Sequence, residues 1–379
     1  MIPRHLYVHV PFCVRRCSYC DFAVTALREP PVAAWLDAVD RELSMHAAAE
    51  GWTEAAAEQI GLSTLYVGGG TPSLLGTGAM VALARRVQHT FGVAPDQDEW
   101  TAEANPESFT DALAADWREA GVNRISLGAQ TFDPAALRWM GRLHGQDGPA
   151  RAVAAARRAG FDNVSVDLIF GLPERLKRDW AADLERVLEL EPEHISLYGL
   201  TAEAATPLGR WVAEGRERLA GEERYSEEYL LAVERLAAAG FVHYEVSNFA
   251  RPGRESRHNG AYWDGSAYLG IGPGAHSYLP PRRFWNLRDW AAYRDRLSGG
   301  VSPVEAEERI EAATASLERI WLGLRTGTGV AGLSEAQLAL AETWRRAGWA
   351  ELSGRRVRLT ARGWLLLDRL VVDLEATAA

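Results

Sequence analysis

The sequence predicts an α/β fold, a parallel partial barrel followed by a small α+β module, and three observations carry that expectation. Short β-rich runs alternate with helical stretches through roughly the first 250 residues, the pattern of repeated strand–helix units and a parallel sheet. Several helical stretches stop at a glycine and resume as a strand: Ala120-Gly121-Val122, Ala159-Gly160-Phe161 and Ala239-Gly240-Phe241. The alternation ends near residue 251, and helical pattern returns from about Glu305.

In chain order the expected strands are Leu6–Val10, Thr64–Val67, Trp100–Glu103, Arg124–Leu127, Asn163–Ile169, Ile195–Tyr198 and His243–Val246. Helices are expected near 32–49, 78–91, 110–120, 148–159, 179–190 and 222–239. Six or seven such units suggest a closed or partly closed barrel over residues 1–250, of the (β/α)6 type. Residues 251–304 read as a connecting region rich in Gly, Pro, Arg and aromatics, punctuated by Gly270-Ile271-Gly272-Pro273-Gly274 and Pro280-Pro281. Residues 305–379 read as two helices (Ile310–Leu324, Ser334–Ala347), two short strands (Ala350–Leu352, Val357–Leu359) and a last helix from Thr360. That order resembles a winged-helix module, expected here as an interaction lid.

Composition narrows the function classes. Hydrophobic residues are 47% and charged residues 24%, an ordinary globular mixture. No apolar run approaches the roughly 20 residues that a membrane helix needs. The chain enters its first strand at once, without the sections of a signal peptide, so a cytoplasmic protein is expected. A net charge of −10 argues against broad nucleic-acid binding. The 14 Trp could line a pocket for a flat ligand, although plain packing accounts for such residues as well.

The chain has three cysteines, spaced Cys13-x3-Cys17-x2-Cys20 directly after the first strand. An odd number in one short loop is no intramolecular disulfide framework. Three thiolates this close can hold three corners of an iron–sulfur cube and leave the fourth iron open to a small chelating ligand. Structural zinc is the competing reading; it wants four Cys or His ligands, and His9 is the candidate to complete such a site. Further polar residues sit where strands end, which is where barrel enzymes keep their chemistry. They are the Gly68-Gly69-Gly70-Thr71-Pro72 turn, Glu103, Gln130 and Asp167, joined by Arg142 from a loop.

The cysteine spacing resembles the radical-SAM superfamily, and so does Tyr19 at the aromatic position before the last cysteine. The resemblance implies a radical-SAM barrel with a [4Fe–4S] cluster on Cys13, Cys17 and Cys20 and S-adenosylmethionine on the open iron. It further implies that Tyr7, Tyr19, Gly69, Gly70, Thr71, Glu103, Gln130, Arg142 and Asp167 contact S-adenosylmethionine, and that a small electron-transfer protein serves as reductant.

Within that superfamily the whole length resembles one branch, oxygen-independent coproporphyrinogen III oxidase and its relative, the HemW heme chaperones. Tyr7-Val8-His9-Val10-Pro11-Phe12-Cys13, Glu103-Ala104-Asn105-Pro106, Asn123-Arg124-Ile125-Ser126-Leu127-Gly128 and Gly171-Leu172-Pro173 carry the likeness. The oxidases have a further cysteine two residues after the third ligand, where Phe22 stands here, and a longer segment before the cluster than these twelve residues. His258-Asn259-Gly260-Ala261-Tyr262-Trp263 is similar to the H-N-x-x-Y-W sequence associated with heme in the chaperones. The resemblance therefore implies a chaperone that holds heme on His258, Asn259, Tyr262 and Trp263 and passes it to client hemoproteins such as respiratory cytochromes. Membrane contact is expected through such clients only. His276 and His144 are alternative axial ligands, a lone His in a polar loop more often makes hydrogen bonds, and the oxidase is the alternative function.

Overall fold

The computed structural model describes residues 2–52, 61–91 and 99–377. The first half alternates strands and helices. Strands β1 (His5–Val10), β2 (Phe12–Cys13) and β3 (Thr25–Ala26) precede β4 (Thr64–Gly69), β5 (Glu99–Ala104), β6 (Arg124–Gln130), β7 (Val164–Phe170) and β8 (His194–Gly199). After them come β9 (Val242–Glu245), β10 (Asn248–Ala250), β11 (Tyr268–Ile271), β12 (His276–Leu279), β13 (Arg282–Asn286) and β14 (Val304–Arg309). A hairpin, β15 (Ala350–Ser353) and β16 (Arg356–Leu359), lies near the C-terminus.

Among the described residues one sheet of twelve strands runs β14-β13-β12-β11-β1-β4-β5-β6-β7-β8-β10-β9. From β11 to β8 the neighbours are parallel, and the two flanks are antiparallel. The outermost strands β14 and β9 are not neighbours, so the barrel is partial.

Side chains alternate across each strand. Leu6, Val8 and Val10 of β1, Leu65 and Val67 of β4, and Val164, Val166 and Leu168 of β7 are buried apolar positions. The intervening positions Tyr7, Glu103, Ser126, Asp167 and Tyr198 face a common cavity instead. A two-sided strand of this kind packs helices outside and keeps polar groups inside.

The helices Val32–Ala49, Ala79–Phe91, Asp111–Ala120, Gly148–Arg158, Trp180–Glu189 and Glu222–Ala238 lie where their periodicity places them. Two short helices, Pro134–Met140 and Pro207–Ala213, escape the sequence pattern, being two turns each. Residues 251–304 hold more structure than their composition suggests: helix Arg257–Trp263, strands β11 to β13 and helix Trp290–Ser298. Strands of four or five residues broken by Gly and Pro offer too few alternations to read.

The C-terminal module has helices Ala312–Leu324 and Glu335–Arg346, the hairpin, and helices Ala361–Trp364 and Leu367–Ala376, the expected order except that the last helix is divided in two and that the chain from about Glu305, expected to be helical, first forms β14 of the main sheet. Leu324, Ala341, Trp344, Val357 and Leu370 form its own core. It docks on the β9 edge: the Gly327 N–H donates to Tyr244 O, and the Val246 N–H to Arg325 O, each at 2.8 Å.

A buried ion cluster ties the loops after β6 and β7 to the outer helices. The Arg178 side chain has no exposure and pairs with Glu228 at 2.5 Å and Asp183 at 3.3 Å. Asp183 accepts from the Thr131 hydroxyl and the Phe132 N–H, and Glu228 from the Gly171 N–H. Arg178→Ala would leave buried Asp183 without its cation and Glu228 with Arg224 alone, a loss on the order of 3–5 kcal/mol. A denaturant titration should show the midpoint falling accordingly; an unchanged midpoint would refute the role assigned to the cluster.

Candidate functional site

The strand ends define a cavity of about 820 Å³. Its wall includes Cys13, Cys17 and Cys20 together with Tyr7, Tyr19, Gly69, Gly70, Thr71, Glu103, Gln130, Arg142 and Asp167. Every residue expected to contact the cluster or S-adenosylmethionine thus meets at one place, although they span more than 150 positions of sequence.

Local structure explains the convergence. The cysteine loop leaves β2 and returns through β3; the Thr25 N–H donates to Pro11 O at 2.6 Å and the Leu27 N–H to Cys13 O at 2.8 Å. The two short helices brace the loop, through Ser18 N–H to Met140 O and Leu208 N–H to Ser18 O. Next to it, the turn after β4 presses onto β1. The Gly70 N–H donates to Val10 O at 2.7 Å, and a Cβ on Gly70 would lie 2.6 Å from Phe12 O. Gly69 has φ +107°, and a Cβ there would lie 2.4 Å from the His9 ring, so a side chain is both strained and blocked. This turn delivers the Thr71 hydroxyl to Cys13 Sγ at 3.4 Å.

Glu103 accepts from the Tyr66 hydroxyl at 2.8 Å and the Gly69 N–H at 3.0 Å. Burial pushes its carboxyl up to about 7, against those two hydrogen bonds and with help from Asp167. Asp167 is also raised by burial, opposed by hydroxyls of Ser196, Ser126 and Ser165. Arg142 donates to Asn105 Oδ1 at 2.8 Å and Gly128 O at 2.5 Å. Gln130 sits at φ +68° beside a register shift in the β6–β7 pairing. Such strain in a non-glycine residue re-aims a side chain, here into the cavity.

The motif from His258 to Trp263 is placed differently. It forms a helix whose first turn grips Glu99: the N–H groups of Arg257 and His258 donate to that carboxylate at 2.9 and 3.0 Å. His258 is 1% exposed. Its Nδ1 bonds Thr64 Oγ1 at 2.7 Å and its Nε2 bonds the Tyr262 hydroxyl at 2.9 Å. Burial, with the His5 and Arg124 charges, pushes it down to about 3. Of the four motif residues, Tyr262 reaches the cavity wall, while His258, Asn259 and Trp263 do not. Trp263 faces the C-terminal module, with the Arg325 guanidinium 5.7 Å from its ring.

The structure also brings in residues that the sequence reading passed over. Asn105 bridges the Thr71 hydroxyl and Arg142, and Tyr198, Tyr268 and Arg288 line the wall. Tyr198 stands near the C-terminal end of β8 and was open to the strand-end rule. Tyr268 needed β11, which the local pattern hid.

Comparison with known proteins fits this geometry. Residues 7–187 match the Radical SAM superfamily model. The heme chaperone HemW of Mycobacterium tuberculosis is 39% identical over 98% of this chain and 95% of that one. The chain belongs to the HemW family. HemW of Bacillus subtilis is 34% identical over 86% of this chain and 84% of its own length. The mouse protein named radical S-adenosyl methionine domain-containing protein 1, mitochondrial, is also 34% identical, over 96% of this chain and 82% of that one. Among solved structures, coproporphyrinogen III oxidase (HemN) from Escherichia coli matches with TM-score 0.81 over 98% of this chain and 90% of that one. At 21% identity that likeness is one of fold.

The superfamily implies S-adenosylmethionine and a [4Fe–4S] cluster, and the donor set of this HemW-family chain fits them. Among the described residues no three His, Cys, Asp or Glu converge on a single ion; a cube instead takes each thiolate on a separate iron. His9, the candidate fourth zinc ligand, has Nδ1 bonded to the Tyr7 hydroxyl and Nε2 to Ala23 O, which removes it from a zinc site. Replacing any one of Cys13, Cys17 or Cys20 by Ala should lower bound iron after anaerobic reconstitution from about four per chain to a small fraction. All three are partly exposed, so circular dichroism should stay native; full iron content in any single variant would contradict the assignment.

Proposed function

We propose that this chain is a heme carrier that binds heme at the cavity and hands it to client hemoproteins. The observation that carries this reading is the whole-length match to heme chaperones at 39% identity. The cavity adds a second support, because the same wall that holds the three thiols also presents Tyr262, Tyr268 and three arginines besides Arg142, namely Arg15, Arg16 and Arg288. Aromatic faces suit a porphyrin plane and guanidinium groups suit its propionates.

In this reading Cys13, Cys17 and Cys20 hold the cluster, which supplies an electron-donating iron with an open position for an amino-acid chelate. The chain's own groups orient that chelate. Glu103 and the Gly69–Gly70 backbone accept from the N–H groups of the chelating amine, and Arg142 with Thr71 and Asn105 form a polar shelf beside Cys13. Gln130 and Asp167 bond the polar edge of the nucleoside, and Tyr19 flanks it. The reductant is a small electron-transfer protein that reaches the exposed cysteine loop. Delivery takes place in the cytoplasm, with clients providing any membrane contact; among the described residues no helix is long and apolar enough to cross a membrane.

One residue discriminates against the alternative, oxidative decarboxylation of coproporphyrinogen. Phe22 stands 58% exposed at the cavity mouth, where the oxidase branch has a cysteine. The reconstituted protein should bind one heme saturably in an absorption titration. With coproporphyrinogen under anaerobic, reducing conditions it should form no protoporphyrinogen. Product formation would overturn the carrier reading.

Glu103 makes a second expectation. A carboxyl raised to about 7 is ionised at pH 8 and mostly protonated at pH 6. The ionised carboxylate accepts more strongly from the N–H groups of the chelating amine, so the ligand is bound more tightly at the higher pH. Affinity for S-adenosylmethionine should fall about tenfold from pH 8 to 6, and the dependence should flatten in Glu103→Gln. Calorimetric titrations at the two pH values decide; equal affinities in the wild type would exclude Glu103 as the amine's partner.

A further inference from the structure

The cysteine loop meets the surface in two places. Cys13 and Cys17 line the large cavity, and they also line a second groove with Val14, Arg15, Glu107, Gly141 and Leu143. Of these, Val14, Glu107, Gly141 and Leu143 belong to the groove alone. Thr71, Asn105 and Arg142 line both and stand between them. Asn105 donates to the Thr71 hydroxyl at 3.2 Å, and Arg142 donates to Asn105 Oδ1 at 2.8 Å, so the partition is itself hydrogen bonded.

The groove holds about 20 Å³, room for about one water. Neither a nucleoside nor a porphyrin enters so small a space. An electron needs no opening, because it can cross a thiolate that lies at the surface.

The rim of the groove offers what a protein partner needs. Val14 is 36% exposed and Leu143 is 42% exposed, and the two are presented together. Single exposed apolar residues need no explanation, whereas adjoining ones are where contact surfaces form. Arg15, also exposed, lies over Gly141, where a Cβ would stand 3.9 Å from its Cδ and guanidinium. Arg16 is engaged with Cys20 O and Asp21, but no described carboxylate pairs with Arg15. Glu107, the carboxylate that lines the groove, acts on the Arg142 guanidinium. That leaves the charge of Arg15 over. On a chain whose net charge is −10, a local cation is what orients an acidic partner.

We infer that this groove is the electron port of the chain. A small acidic one-electron carrier protein docks on Val14 and Leu143, sets a carboxylate on Arg15, and reduces the cluster through Cys13 and Cys17. The inference rests on the reading that such a carrier is the reductant, and adds where it binds. One electron leaves the carrier's reduced centre and enters the [4Fe–4S]2+ cluster, which becomes [4Fe–4S]+; no bond forms and no proton moves. Electron-transfer interfaces are small, below about 1,200 Å², so two apolar contacts and one ion pair can be enough.

The test uses the reconstituted full chain with two acidic probes, a flavodoxin hydroquinone and a reduced ferredoxin, beside dithionite. Stopped-flow absorption gives the rate of cluster reduction, and fluorescence anisotropy gives the affinity for each oxidised carrier. Wild type, Val14→Ser, Leu143→Ser and Arg15→Glu are compared. Arg15→Glu should weaken binding and slow reduction by a carrier about tenfold at low salt, a difference that shrinks at about 0.5 M salt. Val14→Ser and Leu143→Ser should each do so several-fold at either salt, with iron content and the rate with dithionite unchanged. Carrier reduction of all three variants at the wild-type rate overturns the port and leaves the reductant reading standing. A wild-type cluster that dithionite reduces and neither carrier does overturns the reductant reading, and the port with it. If the serine variants instead change the sedimentation of the chain alone, the groove is a contact between two copies and the port is overturned.

Discussion

The contact between the turn after β4 and the exit of β1 is the constraint on which the site depends. Parallel neighbours bring the two strand ends side by side, but a cofactor pocket forms only if their loops lie close. Gly69 and Gly70 allow it, because a Cβ on the first would run into the His9 ring and one on the second into the Phe12 carbonyl. Thr71 then meets Cys13, Asn105 meets Thr71, and Arg142 meets Asn105. A methyl group at either glycine would separate the cysteine loop from this chain of contacts. The close packing of interiors leaves no slack to absorb it.

Buried charge is handled in two ways. Where it is structural, its partner set is closed: Arg178 lies between Glu228 and Asp183, and Glu42 accepts from Tyr293, Asn286 and the Gly272 N–H, with His46 Nε2 at 3.7 Å. The latter set pins the loop between β11 and β12, hence the strand that carries His276. Facing the cavity, Glu103 and Asp167 have hydroxyl and amide partners and no directly bonded cation, and burial raises both. Unbalanced carboxylates are costly to keep in a fold, and their place is where a ligand can supply the opposite charge.

The segment from His258 to Trp263 shows how a motif and its surroundings can separate. Its likeness to a heme-associated sequence is local, whereas its helix is bonded at the N-terminus to Glu99, some 160 positions earlier. That bond turns His258 inward and leaves Tyr262 at the wall. The histidine that lines the cavity with no hydrogen bond to its ring from the described residues, His276, lies in a segment whose strands are too short to show alternation.

The sequence by itself determined the parallel strand–helix order, the grouping of the three cysteines and the polar residues at strand ends. Each of these is a local property: alternation, helical period, glycine stops and spacing within a dozen residues. Tertiary structure decided what no local pattern encodes. It placed β11 beside β1, making residues 251–304 part of the sheet. It set Gln130 in a left-handed conformation at a register shift. It also sorted the histidines into enclosed and open, because hydrogen-bond partners far apart in sequence, Thr64 and Tyr262 for His258, are known only once the strands have paired.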